Sequence, residues 1–285
     1  MGNENILILV TGATGKVGRA AVTELLARGA RVRAFVRDPA TANLPAAAEI
    51  VRGDIDEPAT FAPALDGVTG VFLIWPGLDA EAARPFLDAA RHVRHVVYLS
   101  ARGIRDNAAT QGDPITGFHA DMERLVGKSG PDWTFLRAGG FAGNTLGWAH
   151  DVRTEGVVRQ PYPGLSRPLV HEKDLAEVGA LALLEDGHAG RSYDLTGPES
   201  LTQLEQMDAI SAAIGTPLRF EDLAPEEAKS TLLGGFPPEI ADEILDAWKE
   251  MATTPETVST TVRDLLGRPA TPFATWARDH ADDFR

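Results

Sequence analysis

The chain contains no cysteine, and this absence excludes several kinds of site at once. Disulfide bonds, zinc sites built from thiolates and cysteine nucleophiles are all ruled out. Long hydrophobic runs are also missing, because no apolar stretch approaches the roughly 20 residues that span a bilayer. The first apolar run lacks the basic leader and the cleavage site of a signal peptide. We therefore expect a cytoplasmic protein that has no membrane partner.

Positive charge is scarce, since 27 Lys and Arg face 41 Asp and Glu and leave a formal net charge of −14. This balance argues against a nucleic-acid partner, because such affinity depends on neutralising phosphates with basic side chains. The seven histidines include no pair four residues apart with a glutamate between them, so no metal site is predicted. His92 and His95 flank the start of a predicted strand and are expected to face solvent.

An unbroken apolar run leads directly into three glycines near the start of the chain, in ILILVTGATGKVG at 6–18. The apolar run predicts a strand buried on both faces. Gly12 permits a tight turn, Gly15 lets backbone amides approach a pyrophosphate, and Gly18 lets the following helix pack closely. A strand–turn–helix without a ligand is the alternative interpretation. The residues predicted to bind the pyrophosphate are Gly12, Ala13, Thr14, Gly15, Lys16, Val17 and Gly18.

Apolar strands alternate with amphipathic segments through the first half of the chain. The pattern predicts strands at 32–36, 49–51, 70–74, 95–100 and 133–137, and helices near 57–66, 79–93 and 116–129. Regular alternation of this kind implies a parallel sheet with helices on both faces. We therefore expect an α/β fold with a Rossmann-type doubly wound parallel sheet, whose ligand binds at the first strand–helix turn.

The alternation loosens after residue 138, where glycines and a proline-rich stretch appear. A strand at 191–195 is expected to extend the sheet, and mostly helices follow. The predicted domains are therefore a dinucleotide-binding Rossmann core at 1–138 and a substrate lobe at 139–285. The lobe is mostly helical, is expected to roof the cofactor crevice, and is interleaved with the sheet because 171–197 returns to the core.

The end of the second strand carries the residues that select between the two nicotinamide coenzymes. An acidic residue there binds the ribose 2′-hydroxyl of NAD, whereas an arginine accommodates the 2′-phosphate of NADP. The strand ends with Arg37, and Asp38 then precedes Pro39 in the arrangement of a helix N-cap. Arg37 is thereby left for the cofactor and donates a bidentate pair of hydrogen bonds to a phosphate. NADP(H) is favoured, and NAD(H) is the alternative.

The third strand ends at a second pair of candidate cofactor residues, Asp54 and Ile55. The carboxylate of Asp54 suits an adenine amine, while Ile55 suits packing against the adenine ring. An N-cap for the helix at 57–66 explains Asp54 equally well. Residue chemistry alone does not distinguish adenine contact from helix capping for Asp54.

Five motifs occur in an order that resembles one family. They are TGATGKVG at 11–18, VRDP at 36–39, RGDI at 52–55, VVYLS at 96–100 and WTFLR at 133–137. Together they resemble NmrA-like atypical short-chain dehydrogenase/reductases over nearly the whole chain. Members include quinone and dye reductases, enzymes that tailor aromatic natural products, and redox-sensing regulators that bind a dinucleotide without turning it over. The resemblance implies the fold and a nicotinamide cofactor.

The catalytic residues of the wider superfamily are only partly present. Those enzymes use a serine after strand five and a Tyr-x-x-x-Lys pair on the next helix. The resemblance places Ser100 at the serine, His119 at the lysine and Ile115 at the tyrosine, so the usual proton donor is missing. Ser100 and His119 are the predicted catalytic residues and are also predicted to contact the cofactor. Glu123, one turn further along, is expected to orient the helix or to pair with Arg124 or a neighbour.

Three interpretations of His119 remain open. In the first, it takes over contact with the ribose or acts as a general acid, since an imidazole with its ordinary pKa of about 6.5 suits proton transfer. Alternatively, the substrate needs little protein acid, as when a quinone accepts a hydride and leaves a stabilised anion. The third interpretation is a surface histidine without a role.

Loops after two further strands are predicted to complete the site. In similar proteins, backbone groups of the loop at 139–141 contact the nicotinamide carboxamide. The cofactor contacts predicted from these loops are Ile74, Trp75, Pro76, Gly139, Gly140 and Phe141. Aromatic residues in the same regions favour a planar, aromatic substrate in an apolar pocket. Taken singly, each of these aromatic residues is better explained by core or loop packing. The predicted substrate contacts are Trp75, Phe141, Asn144, Trp148 and Tyr162.

The predicted function is an NAD(P)H-dependent reductase that transfers hydride to a quinone or to a carbonyl of an aromatic compound, as in natural-product biosynthesis. The alternative is a catalytically silent protein that senses NAD(P) and reports to a partner. The expected oligomeric state is a monomer or a homodimer.

Overall fold

A computed structural model describes residues 5–233, 235, 237–254 and 256–285. The strands are β1 (Leu7–Val10), β2 (Arg31–Val36), β3 (Glu49–Arg52), β4 (Gly70–Leu73), β5 (His95–Ala101), β6 (Asp132–Ala138), β7 (Val157–Gln160), β8 (Ser166–Arg167), β9 (Arg191–Leu195), β10 (Leu201–Thr202) and β11 (Arg219–Asp222). The α-helices are α1 (Lys16–Ala27), α2 (Phe61–Leu65), α3 (Arg84–Ala89), α4 (Pro114–Lys128), α5 (Ala149–Glu155), α6 (Glu172–Leu184), α7 (Gln203–Ile214), α8 (Pro225–Leu232), α9 (Pro238–Thr253), α10 (Thr261–Leu266) and α11 (Phe273–Asp279).

The chain divides into two compact units. The first contains the residues up to Ala138 together with Glu172–Leu195. The second contains Gly139–His171 and Thr196–Arg285. Each unit has its own buried core.

The first unit is built on a seven-stranded sheet in the order β3-β2-β1-β4-β5-β6-β9. Every pairing in this sheet is parallel. The strand order reverses between β1 and β4, and ligands of doubly wound sheets bind beyond the carboxyl ends of the strands at such a point. The predicted Rossmann-type sheet is confirmed. The turns after β1, β2 and β4 all lie at the carboxyl ends of its strands.

Aromatic side chains fill the core of the first unit. Phe35, Phe61 and Phe86 form a cluster whose ring centroids are 5.3 to 6.4 Å apart, with tilted or edge-to-face contacts. Trp75 joins this cluster with its centroid 6.1 Å from that of Phe86. Such geometries are the ones aromatic pairs prefer, so the cluster adds specific contacts to the burial of apolar area.

Several predictions of local structure are wrong. The helix expected near 79–93 is three short pieces, because 3₁₀ turns stand on either side of α3. The helix expected at 57–66 consists of a 3₁₀ turn that begins at Pro58, followed by the short α2. His95 does not face solvent: it is buried on β5, with its Nε2 atom 2.9 Å from the hydroxyl of Thr134. The reason is that β5 is buried on both faces from His95 to Ser100, and His95 is already paired with Gly70 and Asp132 in the sheet.

The second unit contains two small sheets and most of the C-terminal helices. β11 pairs with β7 in parallel, and β10 pairs with β8 in antiparallel fashion. Its core centres on Trp276, which is fully buried and stacks between Phe273 and His280 with centroids 5.1 and 4.6 Å away. The region from 139 to 170, where the sequence pattern loosens, contains α5 and β7 as well as a 3₁₀ segment at Ala142–Trp148.

Candidate functional site

The three glycines form a tight turn between β1 and α1. Gly12 adopts a positive φ of 57°, which glycine tolerates without strain. The amide of Gly15 donates to the carbonyl of Gly12 over 2.9 Å, and Gly15 then begins the helix as its N-cap. A Cβ at Gly18 would lie 2.1 Å from the carbonyl oxygen of Gly12, so only glycine allows this approach of helix to turn.

The open side of this turn suits a diphosphate. Gly15 and Lys16 are exposed at the start of α1, where helical amides have no partner inside the helix. Those amides and the helix dipole favour a negatively charged group. Partial burial lowers the pKa of Lys16, and the nearby carboxylate of Glu172 partly offsets that effect. The turn therefore has the shape and the charge preference that the phosphates of a dinucleotide require.

Thr11 links the glycine turn to the neighbouring strand. Its hydroxyl donates to the carbonyl of Ile74 over 2.7 Å and accepts from the amide of Ile74 over 2.8 Å. A Cβ on Gly12 would lie 3.1 Å from the side chain of Ile74. The turn after β1 and the end of β4 are thus held together as one structure. The spacing of 63 residues hides this contact from the sequence.

Arg37 is positioned as expected for a residue that is free to bind a ligand. It is exposed directly after β2 and makes no hydrogen bond or ion pair within the described part of the chain. The carboxylate of Asp38 accepts from the amide of Ala40 over 3.0 Å and caps a short 3₁₀ turn that begins with Pro39. The structural role predicted for Asp38 is therefore confirmed.

Arg19 is a further basic residue near the turn, and the sequence prediction missed it. Its guanidinium donates to the backbone carbonyls of Ala42, over 3.2 Å, and of Asn43. These contacts join α1 to the segment that follows Arg37 in the chain. Its position directly after the third glycine, Gly18, could have indicated a basic residue near the phosphate-binding turn.

Asp54 does not cap a helix, so that interpretation is wrong. The carboxylate accepts from the amide of Asp56 over 3.1 Å and closes a turn, while Glu57 precedes the 3₁₀ segment without a side-chain cap. Ile55 is half-buried against the core of the first unit. Asp54 and Ile55 lie at the same sheet edge as the glycine turn, and adenine contact remains a proposal for both.

Ser100 belongs to a buried polar network. Its hydroxyl donates to Glu123 over 2.6 Å, and Glu123 accepts two hydrogen bonds from Arg137, at 3.0 and 2.7 Å. Arg137 also donates to Asp106 over 2.6 Å. The hydrogen bonds that Arg137 donates to Glu123, and to a smaller extent those to Asp106, raise its pKa. Glu123 therefore pairs with Arg137 rather than Arg124, and the hydroxyl of Ser100 is engaged within the protein.

Glu123→Gln is expected to destabilise the first unit. The substitution keeps the shape of the side chain but removes the charge opposite Arg137, whose side chain is 11% exposed. Breaking a buried ion pair costs about 3–5 kcal/mol, and the remaining contact with Asp106 reduces the expected loss to about 2–3 kcal/mol. Urea unfolding at pH 7 measures it. Asp121→Asn, in an exposed pair on the same helix, is the control and is expected to change stability little.

His119 pairs with Tyr98 across the gap between α4 and β5. The Tyr98 hydroxyl oxygen lies 2.6 Å from Nδ1 of His119, and the side chain of Tyr98 is fully buried. Burial lowers the pKa of His119 to about 4, against a smaller opposing effect of Asp113. Burial likewise raises the pKa of Tyr98, as does the charge on Glu123. Near pH 7 both groups are therefore neutral, and His119 is a poor proton donor.

His119 is expected to make stability depend on pH. His119 has a pKa of about 4 in the folded protein and the ordinary value of about 6.5 in the unfolded chain, so between these two pH values the unfolded chain binds more protons. The free energy of unfolding therefore falls as the pH drops from 7 to 4, by at most about 3 kcal/mol from this group. Urea titrations across that range measure the slope. A His119→Gln variant with an unchanged slope would contradict the assignment.

The glycine loop that was predicted to reach the nicotinamide lies in the second unit. A Cβ at Gly140 would lie 2.7 Å from Leu169 and 2.8 Å from the guanidinium of Arg167, so the loop packs closely there. Backbone hydrogen bonds join Val170 to both Gly140 and Ala142. Gly139, Gly140 and Phe141 remain proposed cofactor contacts through their backbone.

The aromatic residues predicted to line a substrate pocket differ in exposure. Trp75 is buried in the aromatic cluster of the first unit, and Trp148 is buried in the core of the second. Their side chains are packed against protein, because both rings complete an apolar core. Asn144 is exposed and Phe141 half-buried, while Tyr162 is half-buried against the apolar cluster of α8 and α9. The structure therefore supports Phe141, Asn144 and Tyr162 as accessible, and leaves Trp75 and Trp148 mainly with core packing.

Residues 12–186 match the model of a family described as NAD(P)H-binding. The chain belongs to this NAD(P)H-binding family. It is 39% identical over 285 residues to a (4-alkanoyl-5-oxo-2,5-dihydrofuran-3-yl)methyl phosphate reductase of Streptomyces griseus subsp. griseus, covering 98% of this chain and 99% of that protein. It is 32% identical to an NAD(P)H azoreductase of Xenophilus azovorans, with coverage of 98% and 99%.

The fold is similar to that of the NADPH-dependent quinone oxidoreductase QOR2 of Escherichia coli, solved as a complex with NADPH. The TM-score is 0.77 at 25% identity, and the alignment covers 95% of this chain and 99% of that one. The predicted membership among NmrA-like atypical short-chain dehydrogenase/reductases is confirmed. This member of the NAD(P)H-binding family is an NAD(P)H-dependent oxidoreductase.

The described residues contain neither a metal-binding cluster nor a membrane-spanning helix. In the described ranges, no group of three or more His, Asp or Glu could hold a metal ion. Among the same residues, no helix is both long enough and apolar enough to cross a bilayer.

Proposed function

We propose that this oxidoreductase uses NADPH to reduce a quinone or a similarly electron-poor conjugated carbonyl compound. The observation that carries the proposal is the state of His119. The histidine at the position of the superfamily's lysine is neutral near pH 7 and is bonded to a buried tyrosine. Such a site offers a hydrogen bond but no strong acid. It therefore suits acceptors whose reduced form is stable before a proton arrives.

The phosphates and the adenine of the cofactor are held by residues of the first unit. The amides of the glycine turn and the N-terminus of α1 bind the two phosphates, and Lys16 adds positive charge there. Arg37 binds the 2′-phosphate, which favours NADPH, and Asp54 with Ile55 contacts the adenine. Bound NADPH supplies one hydride equivalent to the acceptor. Ser100 contributes by holding Glu123 and thereby α4, since its hydroxyl is already engaged.

The lack of a strong proton donor in the site restricts which acceptors can be reduced. Addition of a hydride to a quinone leaves a hydroquinone anion whose charge is delocalised over an aromatic ring. Water then supplies the proton that completes the two-electron reduction. An isolated ketone instead yields an alkoxide, which needs a proton donor during the step. We therefore expect a strong preference for conjugated acceptors over isolated carbonyls.

A second candidate substrate class is a phosphorylated dihydrofuranone, and the 39% identity to a reductase of that class favours it. The compound in that name carries a ring double bond conjugated to two carbonyl groups. Addition of a hydride to this bond leaves a carbanion between the two carbonyls, which is a stabilised enolate. This acceptor therefore meets the same requirement as a quinone.

The test is oxidation of NADPH, followed by its absorbance, with three groups of acceptors. We expect turnover with benzoquinones or naphthoquinones, or with a 2-acyl butenolide, and at least about 100-fold lower kcat/KM with acetophenone. Turnover with the butenolide alone would select the second candidate. Reduction of acetophenone as efficient as that of the quinones would contradict the proposal.

A further inference from the structure

Tyr98 and His119 form a pair that the assignment of catalytic residues from sequence did not include. Tyr98 lies on β5 and His119 on α4, and their hydroxyl oxygen and Nδ1 atoms are 2.6 Å apart. The rings are tilted with centroids 5.8 Å apart, and Phe118 packs edge-to-face on the imidazole at 4.9 Å. The histidine ring is therefore fixed on several sides.

The direction of this hydrogen bond follows from burial. Tyr98 is fully buried, and its hydroxyl has no other hydrogen-bond partner within the described part of the chain. If Nδ1 carried the hydrogen, the tyrosine O–H would be buried without an acceptor, which costs free energy. The stable arrangement has Tyr98 donating and Nδ1 accepting. The ring hydrogen of the neutral imidazole must then be on Nε2.

The opposite nitrogen is available to a ligand. Nε2 of His119 makes no hydrogen bond to the described residues, and the side chain is half-buried rather than fully enclosed. We propose that Tyr98 is a positioning residue that fixes His119 in the Nε2–H tautomer, so that His119 presents a hydrogen-bond donor to an oxygen atom of the bound ligand. That oxygen belongs either to the cofactor ribose or to the acceptor, and the inference deepens the proposed function.

The charges around the pair keep it neutral in the working range. Asp113, at the N-cap of α4, favours a charged His119, whereas the larger effect of burial disfavours it. Glu123 on the same helix favours a neutral Tyr98, and Glu123 is itself paired with Arg137. Between about pH 5 and pH 8 the tautomer is therefore the variable that Tyr98 controls, rather than the protonation state.

The first experiment observes the tautomer directly, without any turnover. In the full chain labelled with ¹⁵N-histidine, the ring nitrogen shifts at pH 7 distinguish Nε2–H from Nδ1–H. We expect His119 to be almost wholly Nε2–H in the wild type and a mixture of tautomers in Tyr98→Phe. Nδ1–H in the wild type, or an unchanged spectrum in Tyr98→Phe, would overturn the inference. Because no acceptor is present, this result is independent of whether the proposed quinone reduction is correct.

The second experiment is a double-mutant cycle with His119→Gln. Glutamine places an amide N–H close to the position of Nε2–H and has no tautomer to fix. We expect Tyr98→Phe to lower kcat/KM with the quinone or butenolide by roughly three- to tenfold in the wild type, and to have little further effect in His119→Gln. Equal losses in both backgrounds would show a purely structural role for Tyr98. Thermal unfolding of each variant confirms that it folds.

The same variants identify the ligand oxygen. If the variants bind NADPH more weakly but keep the wild-type kcat, the contact is with the ribose. If they bind NADPH as tightly as the wild type but have a lower kcat, the contact is with the acceptor. Tyr193→Phe is a matched control, since Tyr193 contacts Nδ1 of His188 at 2.8 Å in the same unit but outside the site. We expect that control to leave kcat/KM unchanged.

Discussion

Gly15→Ala is expected to weaken NADPH binding by about 100-fold while leaving the protein folded. Gly15 has a φ of −76°, which alanine adopts without strain, and its Cβ would approach only the carbonyl oxygen of Gly12, at 3.2 Å. The methyl group would, however, stand where the phosphates approach the amides of the turn. Losing two hydrogen bonds to charged phosphate oxygens, at about 1.5 kcal/mol each, gives the stated factor. Calorimetric titration measures it.

Two other glycines make this experiment specific. Gly127→Ala, at the last turn of α4, places its Cβ 3.8 Å from Trp133 and is expected to leave NADPH affinity unchanged. Gly18→Ala would press a methyl group into the backbone of Gly12 and is expected to unfold the turn itself. Unchanged affinity in a folded Gly15→Ala protein would refute the binding of phosphate at this turn.

Arg37→Ala is expected to reduce NADPH affinity by about 100-fold and to leave NADH affinity nearly unchanged. The guanidinium is exposed after β2 and has no partner among the described residues, so its removal costs the fold little. A bidentate pair of charge-assisted hydrogen bonds to the 2′-phosphate accounts for the expected size. NADH lacks that phosphate and therefore reports any general damage to the site.

Arg31→Ala provides the matched control for this prediction. Arg31 is an exposed arginine at the opposite end of the same strand, away from the carboxyl edge of the sheet. Its removal changes the net charge by the same amount as Arg37→Ala. We expect no selective effect on either coenzyme. Equal losses of NADPH and NADH affinity in Arg37→Ala would instead remove the assignment of the 2′-phosphate to Arg37.

The features that the sequence predicted correctly are those with local causes. The parallel sheet follows from apolar runs that alternate with amphipathic segments, and the turn after β1 follows from three glycines within seven residues. The cap at Asp38 likewise depends only on the next two residues. The helices at 57–66 and 79–93 were predicted too long. A proline marks the start of a 3₁₀ turn or a short helix but does not reveal where that element ends.

Features that join distant residues were not predictable in the same way. Ser100, Glu123 and Arg137 come from β5, α4 and β6, and only the fold brings them together. The pairing of Tyr98 with His119 similarly depends on how α4 packs on β5. In the sequence Tyr98 looks like one more apolar residue of a buried strand. The sequence could not decide whether Trp75 and Trp148 face a ligand or a core, because aromatic residues near a ligand loop and aromatic residues of a core look alike in a sequence.

The two hydrogen bonds between Thr11 and Ile74 have a consequence for transplanting this nucleotide-binding turn into another protein. A graft of the glycine segment alone would bring Thr11 but not its hydrogen-bond partner, because Ile74 lies 63 positions later, at the end of another strand. A host sheet would have to offer a backbone N–H and C=O at the tip of its adjoining strand, in reach of the threonine. The smallest portable form of this binding element is therefore a pair of neighbouring strand ends rather than a contiguous peptide.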